Sequence, residues 1–180
     1  MATQVERKIM LKNVVLSFPS LFKEGSFNGN GTGKYEATFL LPKTDTKTYK
    51  ELLGLINEIK AQNKSIKVPN NKLFIIDGDD AGDDVTNDYW IIKTGKNISK
   101  GRVTLLDRDK SPIVEEDGKL YGGAIVNASI GAWIQDNAYG KRINGNLYGV
   151  QFVKHGEPLG GGTVDVTDDF DAFDEDDDEL

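Results

Sequence analysis

Cysteine is absent from this chain of 180 residues, and histidine occurs once, as His155. The first absence excludes a disulfide framework, a thiolate zinc site and a cysteine nucleophile. The second excludes a multi-histidine metal site and leaves little for a histidine-based catalytic set. No apolar run has the length of a membrane-spanning helix. The N-terminal stretch carries Glu6, Arg7 and Lys8 before a short apolar stretch and lacks the pattern of a secretory leader. A soluble, intracellular protein with no membrane partner and no cofactor is expected.

Basic residues are also missing after Lys154. Residues 165–180 hold ten acids: Asp165, Asp168, Asp169, Asp171, Asp174, Glu175, Asp176, Asp177, Asp178 and Glu179. The whole chain has 29 acids, 22 lysines and arginines and a net charge of −7. Setting the ten aside leaves 19 acids against 22 bases, a body of net +3. Residues 1–160 are read as one domain and 161–180 as a disordered acidic tail, since such a charge block is solvated and serves interaction.

The body reads as mainly β. Residues 9–18 are apolar and β-branched, and 35–41 alternate, with Tyr35, Ala37, Phe39 and Leu41 on one face. Between them, the Gly/Asn-rich stretch 19–34 reads as a mobile loop. One helix is expected over about 46–63, capped by Asp45 or Thr46. Further strands are expected at 73–76, 89–94, 102–106, 119–134 and 146–154. Short strands at this spacing indicate a barrel or a sandwich with one helix inserted.

Three catalytic or metal motifs fail on inspection. Gly33-Lys34 suggests a phosphate loop, but Asn28 stands where a glycine is needed and Tyr35 where Ser or Thr is needed. The acidic loop 77–88 places Asp77, Asp79, Gly82 and Asp88 as a calcium loop would, but Ala81 interrupts the ligand set and the final bidentate Glu is absent. His155 has no Ser or Asp partner pattern. A metal-dependent nuclease built on the 77–88 acids therefore ranks last.

What remains is aromatics interleaved with bases on strands. Lys93, Lys96, Lys100 and Arg102 follow Trp90. In 125–135 the core face is Val126, Ala128, Ile130, Ala132 and Ile134, which leaves Trp133 on a polar face beside Asn127, Ser129 and Gln135. Tyr139, Lys141 and Arg142 come next. Lys34 and Phe27 belong to the glycine-rich stretch. This mixture suits single-stranded nucleic acid, whose bases stack on aromatics while Lys and Arg track the phosphates. For Trp90 and Phe27, base stacking and core packing both stay open.

In order along the chain, KYEATFLLPK (34–43), DGDD (77–80) before YWIIKTG (89–95), LYGGAIVNASIGAW (120–133) and NGNLYGVQFVKHGEPLGGG (144–162) resemble phage-encoded single-stranded DNA-binding proteins. Those proteins have an OB-fold and an acidic C-terminal tail. The resemblance implies an elaborated OB barrel, no enzymatic activity, and a role in phage DNA replication or recombination in the cytoplasm of the bacterial host. It implies a tail that competes with DNA and docks replication proteins such as polymerase, helicase or primase. Such tails often end in an aromatic residue, whereas this one ends in Leu180. Phe170 and Phe173, with Asp174, Glu175, Asp176, Asp177, Asp178, Glu179 and Leu180, are then the expected partner-binding segment. A homodimer is admitted as an assembly state. The alternative is an acidic OB-like adaptor or a DNA-mimic inhibitor.

Overall fold

The computed structural model describes residues 7–82 and 84–159. Nine strands and one α-helix follow in order: β1 (Ile9–Ser20), β2 (Ser26–Phe27), β3 (Asn30–Gly31), β4 (Lys34–Pro42), α1 (Thr46–Gln62), β5 (Ile75–Asp77), β6 (Tyr89–Asn97), β7 (Thr104–Leu106), β8 (Ile125–Asn137) and β9 (Gly140–Lys154). β1 pairs antiparallel with β4 and with β8, β4 with β6, and β8 with β9. A short parallel contact between β6 and β9 joins the two ends of this row, so β1, β4, β6, β9 and β8 form a closed five-stranded barrel. β5 and β7 extend β6 and β9 outside the ring. This is the mainly β, OB-type barrel with one inserted helix expected from the sequence.

Alternation explains which face of each strand turns inward. On β4, Ala37, Phe39 and Leu41 are buried and Tyr35 packs against the core from its rim. Their cross-strand partners are Thr94, Ile92 and Trp90 on β6. On β8, Val126, Ala128 and Ile130 are buried opposite Phe152, Val150 and Leu147 of β9. α1 seals the barrel through Leu52, Leu55, Ile56 and Ile59. Each such side chain contributes about 1.5–3 kcal/mol when fully buried. The Asp45 carboxylate caps the helix by accepting the Thr48 N–H at 3.1 Å.

Three expectations change. The stretch 19–34 contains a small hairpin, β2–β3, whose turn residues Asn28 (φ 53°) and Gly29 (φ 80°) adopt the left-handed pair that a two-residue hairpin requires. β9 begins at Gly140, not at 146. The strand expected from 119 begins at Ile125 instead. There residues 121–124 form a turn closed by the Ala124 N–H donating to the Tyr121 carbonyl at 3.1 Å, and the Tyr121 hydroxyl accepts the Gly156 N–H at 3.1 Å and donates to the Gly156 carbonyl at 2.9 Å.

The acidic loop is a structural element. The Lys43 ammonium bridges Asp77 at 2.5 Å and Asp79 at 2.6 Å. Asp77 also accepts the Asp79 N–H, and Asp79 the Asp88 N–H. These bonds hold both carboxyls below the usual carboxylate range and raise Lys43 above its ordinary value. Among the described residues no cluster of His, Asp or Glu could hold a metal ion.

Closure depends on Gly145. A Cβ there would stand 2.4 Å from the backbone carbonyl oxygen of Lys93, inside van der Waals contact with a group that cannot turn away. Gly145→Ala should cost about 1–3 kcal/mol, lowering Tm by about 2–4 °C per kcal/mol at this domain size. Asn146→Ala, one residue on, should change Tm little. Thermal unfolding of the two variants checks this.

Depressed carboxyls stabilise the fold above their unfolded pKa of about 3.9 and lose that contribution as pH falls through their lower folded values. The raised Lys43 contributes throughout the range below about pH 10 and has no acid limb of its own. Tm should therefore fall below about pH 4, and Lys43→Met should flatten that acid limb. High salt should shrink the effect, because the Asp79 side chain is 46% exposed.

Candidate nucleic-acid interface

A groove of about 470 Å³ runs across the seam where β6 meets β9. One wall is the outer face of β4 and β6. There Lys34 lies opposite Asn97, Glu36 opposite Gly95 and Thr38 opposite Lys93. The other wall is the stem of the β8–β9 hairpin, where Trp133 lies opposite Asn144 and Gln135 opposite Arg142. Asn146 meets Gly95 at the seam. Lys72, at the end of a single 3₁₀ turn (Asn70–Lys72), borders the groove, as does Lys100.

Six cations line it: Lys34, Lys72, Lys93, Lys96, Lys100 and Arg142, against one acid, Glu36. The ion pairs among the described residues involve Arg7, Lys43 and Lys119, so none of these six is paired with a carboxylate of the described residues. Lys96 donates to the Arg102 carbonyl at 2.9 Å, an uncharged partner. Unpaired like charges gathered in a concave surface focus a positive potential and draw a polyanion. Trp133 is 41% exposed on this surface, on the polar face where the sequence places it.

The structure thus brings Lys34, Lys93, Lys96, Lys100, Trp133 and Arg142 together. It separates the other candidates. The Trp90 ring lies parallel to that of Tyr49 on α1, with centroids 4.2 Å apart, and the Lys43 ammonium sits 4.7 Å from its centroid. It packs against the core and ties the helix to β6, so of the two readings open for it the structure favours packing over base stacking. Phe27 stands on the β2–β3 hairpin, 73% exposed and outside the groove lining. Tyr139, 90% exposed, and Lys141 stand at the tip of the β8–β9 hairpin, beyond the groove. Arg102 is exposed and lends the groove only its carbonyl. Phe170, Phe173, Asp174, Glu175, Asp176, Asp177, Asp178, Glu179 and Leu180 lie outside the described residues.

Sequence reading missed Lys72, Asn97, Asn144 and Asn146. The signal for two of these was present: Arg142, Asn144 and Asn146 alternate with Ile143, Gly145 and Leu147. The Asn-Gly-Asn string reads as a turn, however, and concealed the strand.

A closed five-stranded barrel with an inserted helix, a cationic groove and one exposed indole defines an OB-type binding module. The chain matches, over residues 7–180, the family described as the ssDNA-binding protein of Enterobacter phage Enc34, and it belongs to that family, a class of binding proteins without enzymatic activity. It is 35% identical over 175 residues to "Putative protein p50" of Acyrthosiphon pisum secondary endosymbiont phage 1, covering 91% of this chain and 92% of that one. It is similar to the solved single-stranded DNA-binding protein from bacteriophage Enc34 in complex with ssDNA, with 32% identity, a TM-score of 0.77, and coverage of 88% of this chain and 97% of that chain. The single-stranded DNA-binding protein gp2.5 of bacteriophage T7 shares the fold alone, at 13% identity and a TM-score of 0.59 over 93% of this chain and 96% of that one.

Proposed function

We propose that this chain binds single-stranded DNA with little sequence dependence and serves phage DNA replication or recombination in the host cytoplasm. The observation that carries this reading is the joining of six cations, none paired with a carboxylate of the described residues, and an exposed Trp133 in one groove. The Enc34 relative, solved with ssDNA, supports it. Capture is electrostatic: Lys34, Lys72, Lys93, Lys100 and Arg142 take the place of the counterions condensed on the phosphates, and those ions are released. A base then stacks on Trp133, a contact worth about 1–3 kcal/mol that any base can make. A DNA mimic would present acids where this groove presents cations. The groove is built within one chain, so a homodimer is not needed to complete it.

The tail belongs to the same reading. Its ten acids at 165–180 are a polyanion tethered to a cationic groove, at an effective concentration far above that of a free competitor. It competes with DNA when unoccupied and offers Phe170 and Phe173 to polymerase, helicase or primase when DNA displaces it.

Titration with oligo-dT at two salt concentrations tests the reading. Binding should weaken steeply with salt, with log K falling by about 0.7 per phosphate neutralised for each log unit of salt. Trp133→Ala should weaken binding about fivefold to a hundredfold with Tm nearly unchanged. Trp90→Ala should do the reverse, lowering Tm while the folded protein keeps its affinity. No binding by the full chain or by a chain ending at residue 164 would overturn the function.

Deleting residues 165–180 should tighten binding at low salt. Equal affinity of both forms there would overturn the competition and leave the groove's role standing.

A further inference from the structure

We infer that Asn144 reads the edge of the base stacked on Trp133, giving the groove a graded preference for bases that present an amine there. This rests on the proposed single-strand binding and goes beyond it. Trp133 and Asn144 are direct cross-strand partners on β8 and β9. Directly opposed side chains share a face with Cβ atoms about 4.5–5.5 Å apart. A base lying on the indole therefore has an edge beside the Asn144 amide, and both residues line the groove.

The orientation of that amide is settled by a chain of hydrogen bonds that starts at a backbone donor. The Tyr139 N–H, which can only donate, reaches Asn137 Oδ1 at 2.9 Å. Asn137 thus turns its oxygen inward, and that oxygen also accepts Gln135 Nε2 at 3.1 Å. Gln135 has then committed its amino group to Asn137 and presents Oε1 to the other side. Oε1 accepts Asn144 Nδ2 at 2.8 Å. Each amide has one oxygen and one amino end, so fixing the first fixes all three. The outcome is that Asn144 spends a donor on Gln135, and its Oδ1 has no hydrogen-bond partner among the described residues.

An acceptor held at that place discriminates by charge. The exocyclic amines of cytosine and adenine donate to it, whereas the 4-carbonyl of thymine sets two oxygens against each other. Cytosine and thymine make the useful comparison, because both are single rings and exchange amine for carbonyl at position 4; thymine's 5-methyl and N3–H are further differences that the same ratio in wild type and variant holds fixed. A single neutral hydrogen bond gained or lost corresponds to about a three- to tenfold change in affinity. The preference is thus a bias within sequence-tolerant binding.

The experiment is fluorescence anisotropy with labelled oligo-dC and oligo-dT of equal length, at a pH where cytosine carries no proton. The measured quantity is the ratio of the two affinities, compared between wild type and variants, so that differences in the flexibility of the two oligomers cancel. Asn144→Ala should shift the ratio toward dT by about three- to tenfold, with dT affinity itself changing little. Gln135→Leu leaves Asn144 in place but frees its amide to turn, and should shift the ratio in the same direction. A ratio unchanged by both variants, with both oligomers still bound, overturns the readout alone. Failure of the wild type to bind either oligomer overturns the single-strand reading, and the readout with it.

Discussion

Two residue pairs in parallel register hold this molecule's architecture together. Thr94 meets Gly145 and Gly95 meets Asn146 where β6 passes β9. Without that contact the sheet is an open row with β5 and β7 at its ends. With it, the row becomes a ring, and the hairpin stem that carries Trp133 and Arg142 is brought against the strands that carry Lys34 and Lys93. The groove is a by-product of closure. The approach is close enough that β9 has a hydrogen in place of a side chain at the crossing, and the buried Thr94 hydroxyl is absorbed by the Ala37 carbonyl at 2.8 Å. A parallel contact this short contributes few hydrogen bonds. Its stability comes from the packed interior on which the ring closes.

Charge is deployed in two ways. Outside the groove, cations are spent on structure: Lys43 on Asp77 and Asp79, Lys119 on Asp107, Arg7 on Glu58. Inside it, six cations face one carboxylate. Concentrating like charge costs the fold some self-repulsion, a cost relieved when phosphate arrives. The negative total of the chain says nothing of this, because it sums a body and a tail of opposite charge.

Much of the fold was legible in sequence because alternation survives wherever one face of a strand is buried. The strand at 35–41, the later part of the one expected at 119–134, and the helix at 46–63 show their period directly. The same dipeptide shows where legibility ends. Asn28-Gly29 is a true hairpin turn, and Asn144-Gly145 is the middle of the longest strand. Local sequence cannot separate them, since the second glycine answers to the Lys93 carbonyl of a distant strand. Trp90 stays open in the sequence for a related reason. Its neighbours on both faces are isoleucines, and only the helix packed above supplies the Tyr49 ring that occupies it. Placing the cations on the right strands was within reach of the sequence. Knowing that Lys72 joins them required the closed ring.

The chain has two tryptophans, and their surroundings differ sharply. Trp90 is sandwiched into the scaffold beside a parallel phenol ring and an ammonium, while Trp133 stands in solvent on the groove wall. The protein therefore carries its own optical division of labour. Light emitted from the solvated indole reports events in the groove, and emission from the stacked one reports the integrity of the barrel. Both signals are available in the unlabelled protein.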